Sequence, residues 1–295
     1  MLEPSLVRQA SQAASCAVGP YSLEATRPSF GEIADLAAAV PKGTAVYLSS
    51  VGAQTLDELT TTVMRLRDAG LEPVPHLAAR RIAGRGALAT FLRRAYAEGG
   101  VRRVLVVGGE TSGHGPYADA LALLRDGLLE AAGLEEIGIA GYPEGHPRIA
   151  TDTLDQALRA KLAAACAAGL RPFIVTQFSF APEAVAGWLR TLRVAGIAVP
   201  VKVGMAGPAS IPALLRYAKR CGVGTSLRGL MSGAAAGLAA GLGAHVGPDR
   251  ILTALDAARG DIGDVAPHYF SFGGVVETAR YAQQKAAGAE MLTGS

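Results

Sequence analysis

Eight short apolar runs, each bounded by turn residues and separated by amphipathic stretches, constrain this chain more than any other feature. The runs are Tyr21–Glu24, Ala45–Leu48, Pro73–Leu77, Val104–Val107, Ile137–Gly141, Phe173–Thr176, Val201–Val203 and His268–Phe272. Runs of this length between turn signals read as strands. Between them, Thr55–Ala69, Gly86–Ala97, Tyr117–Ala131, Asp152–Ala168 and Pro182–Val194 carry helical spacing, and Gly70, Gly133 and Gly169 follow three of these as C-terminal stops. Strand and helix alternating eight times predict an α/β fold, a single-domain (β/α)8 TIM barrel over residues 20–295, with residues 1–19 as an N-terminal arm.

Composition narrows the class of function. Half of the 295 residues are hydrophobic, enough to bury one large core. The formal charge of +3 is scattered, with no basic run longer than pairs such as Arg80-Arg81, so nucleic acid is not an expected partner. Cys16, Cys166 and Cys221 are odd in number and far apart, which suits a reducing, cytoplasmic setting better than a disulfide framework. No basic segment followed by an apolar core opens the chain as a signal peptide would. The stretch from Gly229 to Gly247 is rich in Ala and Gly and poor in bulky apolar residues, so it reads as a close-packed helix, not a membrane span. A small molecule is the expected partner, and self-association as a homo-oligomer is left open.

A parallel barrel delivers the residues that follow each strand to one common face. Here that face would hold Glu24, Ser49, Ser50, His76, Glu110, Tyr142 with Glu144 and His146, and Gln177. A carboxylate deep in a barrel mouth, as Glu24 would be, has its charged form disfavoured and is suited to general-acid work; an ion pair with Arg27 or another arginine is the plainer alternative. The amide of Gln177 donates and accepts side by side, as recognition of a pterin or flavin edge demands. Glu110 follows Gly108-Gly109, where missing side chains would let a planar ligand approach the backbone. Tyr142-Pro143-Glu144-Gly145-His146-Pro147 forms a stiff loop past a strand. No HxH or HxxxH pair suggests a metal, no G-x-S-x-G elbow a hydrolase, and no G-x-G-x-x-G a Rossmann cofactor site. His268 is expected to start the last strand.

Taken together these residues resemble the methylenetetrahydrofolate reductase family from about Tyr21 to Tyr281. The resemblance is carried by Tyr142-Pro143-Glu144-x-His146-Pro147 and Thr176-Gln177-Phe178, with support from Ser22-Leu23-Glu24, Pro75-His76-Leu77, Tyr117-Ala118 and His268-Tyr269-Phe270-Ser271-Phe272. It implies a barrel that carries FAD and passes hydride from NAD(P)H to 5,10-methylenetetrahydrofolate, giving 5-methyltetrahydrofolate. Glu24 falls on the family's general acid and Gln177 on its pterin-binding glutamine. Glu110 falls where an aspartate near flavin and pterin is usual, implying catalytic and substrate-binding roles. His76, Tyr117, Ala118, Tyr142, His146 and Asp155 match flavin-contact positions, Ser50 stands at such a position where a threonine is usual, and Lys161 stands near a phosphate-binding lysine. The family's arginine ahead of that aspartate is Gly108 here, and its asparagine-arginine pair after the last strand is Gly273-Gly274. Direct hydride transfer without flavin, and a folate-binding barrel without turnover, are the rival expectations.

Overall fold

The structure, a computed structural model, describes residues 20–50, 54–109, 115–221, 245–246 and 248–293. Eight parallel strands close into a barrel: β1 (Ser22–Ala25), β2 (Ala45–Leu48), β3 (Glu72–Ala78), β4 (Arg103–Val107), β5 (Glu136–Gly141), β6 (Arg171–Thr176), β7 (Val201–Ala206) and, last in the ring, β10 (Val265–Phe270). β10 pairs with both β7 and β1, so every barrel strand has two neighbours and no edge is left. A small antiparallel pair, β8 (Ala209–Ser210) with β9 (His245–Val246), stands outside the ring.

The helices between strands are α1 (Phe30–Ala39), α2 (Leu56–Asp68), α3 (Arg85–Ala97), α4 (Ala120–Leu124), α5 (Leu128–Ala131), α6 (Thr151–Ala167), α7 (Pro182–Val194), α8 (Ile211–Cys221), α9 (Asp249–Ala257), α10 (Arg259–Ile262) and α11 (Val275–Thr293). Ser29 and Thr55 open α1 and α2 with capping boxes closed by Glu32 and Glu58. Each such cap contributes about 1 kcal/mol by satisfying otherwise orphaned N–H groups.

Alternation along each strand divides the core in two. Outward residues such as Leu23, Val46, Leu77, Val104, Val106, Ile137, Ile139, Ile174 and Val203 join the helices in one large cluster. Inward residues Tyr47, Val74, Leu105, Phe173 and Val175 form a second, inside the ring. Gly138 lies at this level because a Cβ there would come within 2.9 Å of Phe173 and 3.0 Å of Leu105.

Three expectations need correction. Tyr117–Ala131 is two short helices, since Gly127 takes the left-handed φ of 88° and interrupts the spacing. The last strand begins at Val265, so His268 is central in it and does not start it; Pro267 within the run masked its strand character. Within Gly229–Gly247 only His245 and Val246 are described, and they form a strand, not a helix end. The N-terminal arm, Glu110, Cys16 and the rest of Gly229–Gly247 lie outside the described residues. No helix among the described residues is long and apolar enough to cross a membrane.

Candidate active site at the carboxyl end of the barrel

Glu24 is the last inward residue of β1, placed between Leu23 and Ala25, which both face the helix layer. Two histidines from other strands converge on it: Glu24 Oε2 is 3.4 Å from His268 Nε2 and 3.6 Å from His76 Nε2. The three side chains are 12%, 0% and 9% exposed for Glu24, His268 and His76. His268 Nδ1 lies 2.9 Å from Ser22 Oγ. The Tyr47 ring packs beneath, edge-on, 4.6 Å from the His268 ring and 6.0 Å from that of His76.

Burial governs the protonation of this cluster. It raises the Glu24 pKa above the ordinary carboxyl value, with His76 and the Ser49 hydroxyl opposing it. It lowers His76, against the pull of the Glu24 charge, and drives His268 down to about 3, helped by the nearby Lys202 ammonium. Both imidazoles are therefore neutral at pH 7, and the carboxyl holds its proton more tightly than a surface glutamate. Arg27 is not its partner; among the described residues the ion-pair contacts of Glu24 are the two histidines.

A cavity of about 230 Å³ opens beside Glu24, lined among others by Thr26, Tyr217, Phe270, Ser271 and Phe272. Phe272 stacks on Tyr217 at 4.3 Å and on Phe270 at 5.7 Å, giving a wall of nearly parallel rings. Flat rings backed by a carboxyl suit a flat heterocycle that must receive a proton. Phe270 reaches this place because β10 pairs it with Glu24 and because Ser271 Oγ donates to the Glu24 carbonyl. Tyr217, from α8, was not singled out in the sequence; a tyrosine on an amphipathic helix looks like any core residue until the helix is placed.

Gln177 follows the last residue of β6, with its backbone N–H bonded to the Gly141 carbonyl at 2.8 Å. It lies at the same end as Glu24. Gly204 on β7 makes room between them: a Cβ there would stand 2.8 Å from Phe270 Cε2 and 3.0 Å from the Gln177 carbonyl carbon.

The other expected positions among the described residues do not line the cavity beside Glu24. Ser50 presents its carbonyl to Arg81 Nη1 at 3.1 Å. Arg80 bonds the Gly109 carbonyl at 2.9 Å, and its Nη1 lies 3.0 Å from where a Cβ on Gly108 would be. A cation from the turn after β3 thus occupies the space beside Gly108. Tyr117 is buried, its hydroxyl 3.1 Å from Asp126 Oδ2, and Arg85 grips the same carboxylate. Ala118 is exposed beside it. Tyr142 packs edge-on against His146 at 5.6 Å, and burial raises the phenol's pKa while burial and Arg148 lower that of His146. Tyr142, Glu144 and Asp155 line a separate groove of about 480 Å³ between α6 and α7, together with Arg159 and Trp188. Lys161 is half-buried on α6, its pKa lowered by burial and supported by Asp119. Among the described residues no set of His, Cys, Asp and Glu side chains is arranged to hold a metal ion.

Known proteins were compared with this chain and its fold. A protein from Clostridium thermocellum that binds two copies of 5-methyl-5,6,7,8-tetrahydrofolic acid aligns with a TM-score of 0.61 and 11% identity, over 92% of this chain and 96% of its own. Dihydropteroate synthase from Thermus thermophilus aligns with a TM-score of 0.50 and 14% identity, over 93% of this chain and 94% of the synthase. The same enzyme in complex with 6HMPPP gives 0.52 and 13%, over 94% of each chain. At these identities the likeness is one of fold, and it agrees with the closed eight-strand ring. The family model described as methylenetetrahydrofolate reductase matches residues 18–226, which takes in Glu24, His76, Tyr142 and Gln177. By that match the chain belongs to the methylenetetrahydrofolate reductase family.

Proposed function

We propose that this protein is a folate oxidoreductase that interconverts 5,10-methylenetetrahydrofolate and 5-methyltetrahydrofolate, with NAD(P)H as the hydride partner. The observation that carries the reading is the buried Glu24 carboxyl, held between two neutral imidazoles and opening onto a ring-walled cavity. In the reducing direction Glu24 gives its proton to a ring nitrogen of the bound folate. The five-membered ring then opens to an iminium, and hydride addition to the methylene carbon leaves a methyl group. The Glu24 carboxylate regains its proton afterwards from solvent in the cavity that it lines. Gln177 holds the pterin edge from across the mouth, with Phe270 between them. The membership shown above and the folate ligand of the Clostridium thermocellum protein support folate as substrate class.

The residues that would hold a flavin are Tyr142 and Asp155 in the groove between α6 and α7, together with Ser50, His146 and Lys161. Asp155 suits ribose hydroxyls and Arg159 a phosphate, so the groove fits the nucleotide half of FAD. With its nucleotide half held there, a flavin would supply hydride-transfer chemistry to the protein. A second reading, direct transfer from NAD(P)H, is favoured by two positions of the flavin set that are already engaged within the protein: His76 against Glu24 and Tyr117 against Asp126.

An absorption spectrum of the gently purified protein, with turnover measured before and after adding FAD, separates the two. Bound flavin supports the first reading; a colourless protein that is active and indifferent to FAD supports the second. Lack of affinity for any tetrahydrofolate by calorimetry would overturn both.

A further inference from the structure

We propose that Ser22 and His268 form a positioning pair for Glu24, the serine hydroxyl fixing the imidazole and the imidazole fixing the carboxyl. The inference rests on the reading of Glu24 as proton donor and extends it to two fully buried residues. Ser22 precedes Glu24 by two positions on β1, so alternation turns both inward, and the β1–β10 register sets Ser22 opposite His268.

Ser22 Oγ has two acceptors in reach: His268 Nδ1 at 2.9 Å and the Pro267 carbonyl at 3.5 Å. The hydroxyl hydrogen goes to the much nearer acceptor, Nδ1, at 2.9 Å. A neutral imidazole that accepts at Nδ1 carries its hydrogen on Nε2. That N–H faces Glu24 Oε2 at 3.4 Å, so Oε2 is the accepting oxygen and the acid proton is confined to Oε1. Without the contact, the carboxyl could rotate and carry its proton on either oxygen.

The surroundings keep His268 in this role. Burial and the Lys202 ammonium hold the ring neutral, and the edge-on Tyr47 ring clamps it at 4.6 Å. His76 and the Ser49 hydroxyl are the other groups that act on Glu24. Of the two histidines, His268 is the fully buried one, which suits it to fixing geometry.

The test uses full-length His268→Ala, His268→Gln and Ser22→Ala. In His268→Ala, kcat for tetrahydrofolate-linked NAD(P)H turnover should fall about a hundredfold, the effect of misplacing a reacting group by roughly 1 Å. Its alkaline limb should move to higher pH, since an N–H donor that favours the carboxylate is gone. His268→Gln, whose amide can donate from near the Nε2 position, should recover about tenfold of the loss and shift the limb back. Without any substrate, ¹⁵N NMR of the wild type should show the Nε2–H tautomer with no titration between about pH 5 and 8, and Ser22→Ala should show a tautomer mixture. An Nδ1–H tautomer in the wild type, or a His268→Ala enzyme with an unmoved pH profile, overturns the pairing. If no tetrahydrofolate turns over at any pH, the acid reading of Glu24 falls, and the NMR result alone decides the pair.

Discussion

The two ends of the barrel interior use the same kinds of side chain to opposite ends. At the amino end, Arg103 Nε lies 2.8 Å from Glu72 Oε1 and 3.3 Å from Glu136 Oε2, and Lys202 feels both carboxylates. All four stand at the first or second position of their strands, so alternation turns them into the ring together. Their side chains remain about a quarter exposed at the three members of the ion pairs. At the carboxyl end Glu24 is less exposed than these acids and has imidazoles for partners where they have a guanidinium. Burial among neutral rings disfavours the charged form of Glu24. The difference teaches that the amino end sets opposite charges against one another across the ring, while the carboxyl end holds an acid whose charged form is disfavoured.

Glu24→Gln gives the strongest test of that contrast. It should lower folate-dependent NAD(P)H oxidation by about 10²- to 10⁴-fold, the usual worth of a general acid, without loss of fold. Its stability should even rise at neutral pH. An acid whose pKa is raised by folding binds more protons folded than unfolded, so its contribution declines as pH climbs above the ordinary glutamate value. Urea unfolding of variant and wild type at acid and neutral pH checks this, and a variant that is destabilised at neutral pH while fully active would break the contrast.

Arg103→Met should do the reverse at the amino end. Removing the cation leaves Glu72 and Glu136 facing each other, which should cost roughly 1–3 kcal/mol in urea unfolding, less than for a fully buried network because water reaches these groups. The pH profile of turnover should keep its shape. A shifted profile would mean that the two ends are electrically coupled.

The histidines sharpen the comparison through stability. Folding lowers the pKa of both His76 and His268, so the unfolded chain binds more protons below the ordinary histidine value of 6.5. Their contribution is complete above that value and is lost as pH falls toward the folded values, which for His268 is about 3. The urea midpoint should drop between about pH 7 and 5, and His76→Gln should flatten that drop. In the Glu24→Gln background, where the opposing pH dependence of the acid is gone, a midpoint that stays level would show that one of the rings is charged in the native state. The smallest effect is expected on the helix surface, where Arg94 and Glu98 pair at 3.2 Å in an exposed i,i+4 contact. Glu98→Gln should change stability by no more than about 0.5 kcal/mol.

Much of the fold was legible because strand and helix periods are local properties. The runs Ala45–Leu48 and Pro182–Val194 coincide with β2 and α7, since apolar period, proline at the first helical turn and flanking turn residues all agree there. Val201–Val203 fell short of β7 because Gly204 looks like a stop, although its missing side chain serves Phe270 inside the ring. Tyr117–Ala131 failed for the opposite reason: helical spacing runs through Asp126-Gly127, and only the backbone shows the break.

The sequence by itself determined the alternation, the closed ring it requires, and the end to which Glu24 and Gln177 belong, because each follows from short-range pattern and the direction of parallel strands. The tertiary structure alone decided which residues meet. Glu24 and His268 are separated by 244 positions and touch only because the eighth strand closes on the first. That closure fixes partner and burial, and these, not the residue's identity, raise an ordinary glutamate above the usual carboxyl range.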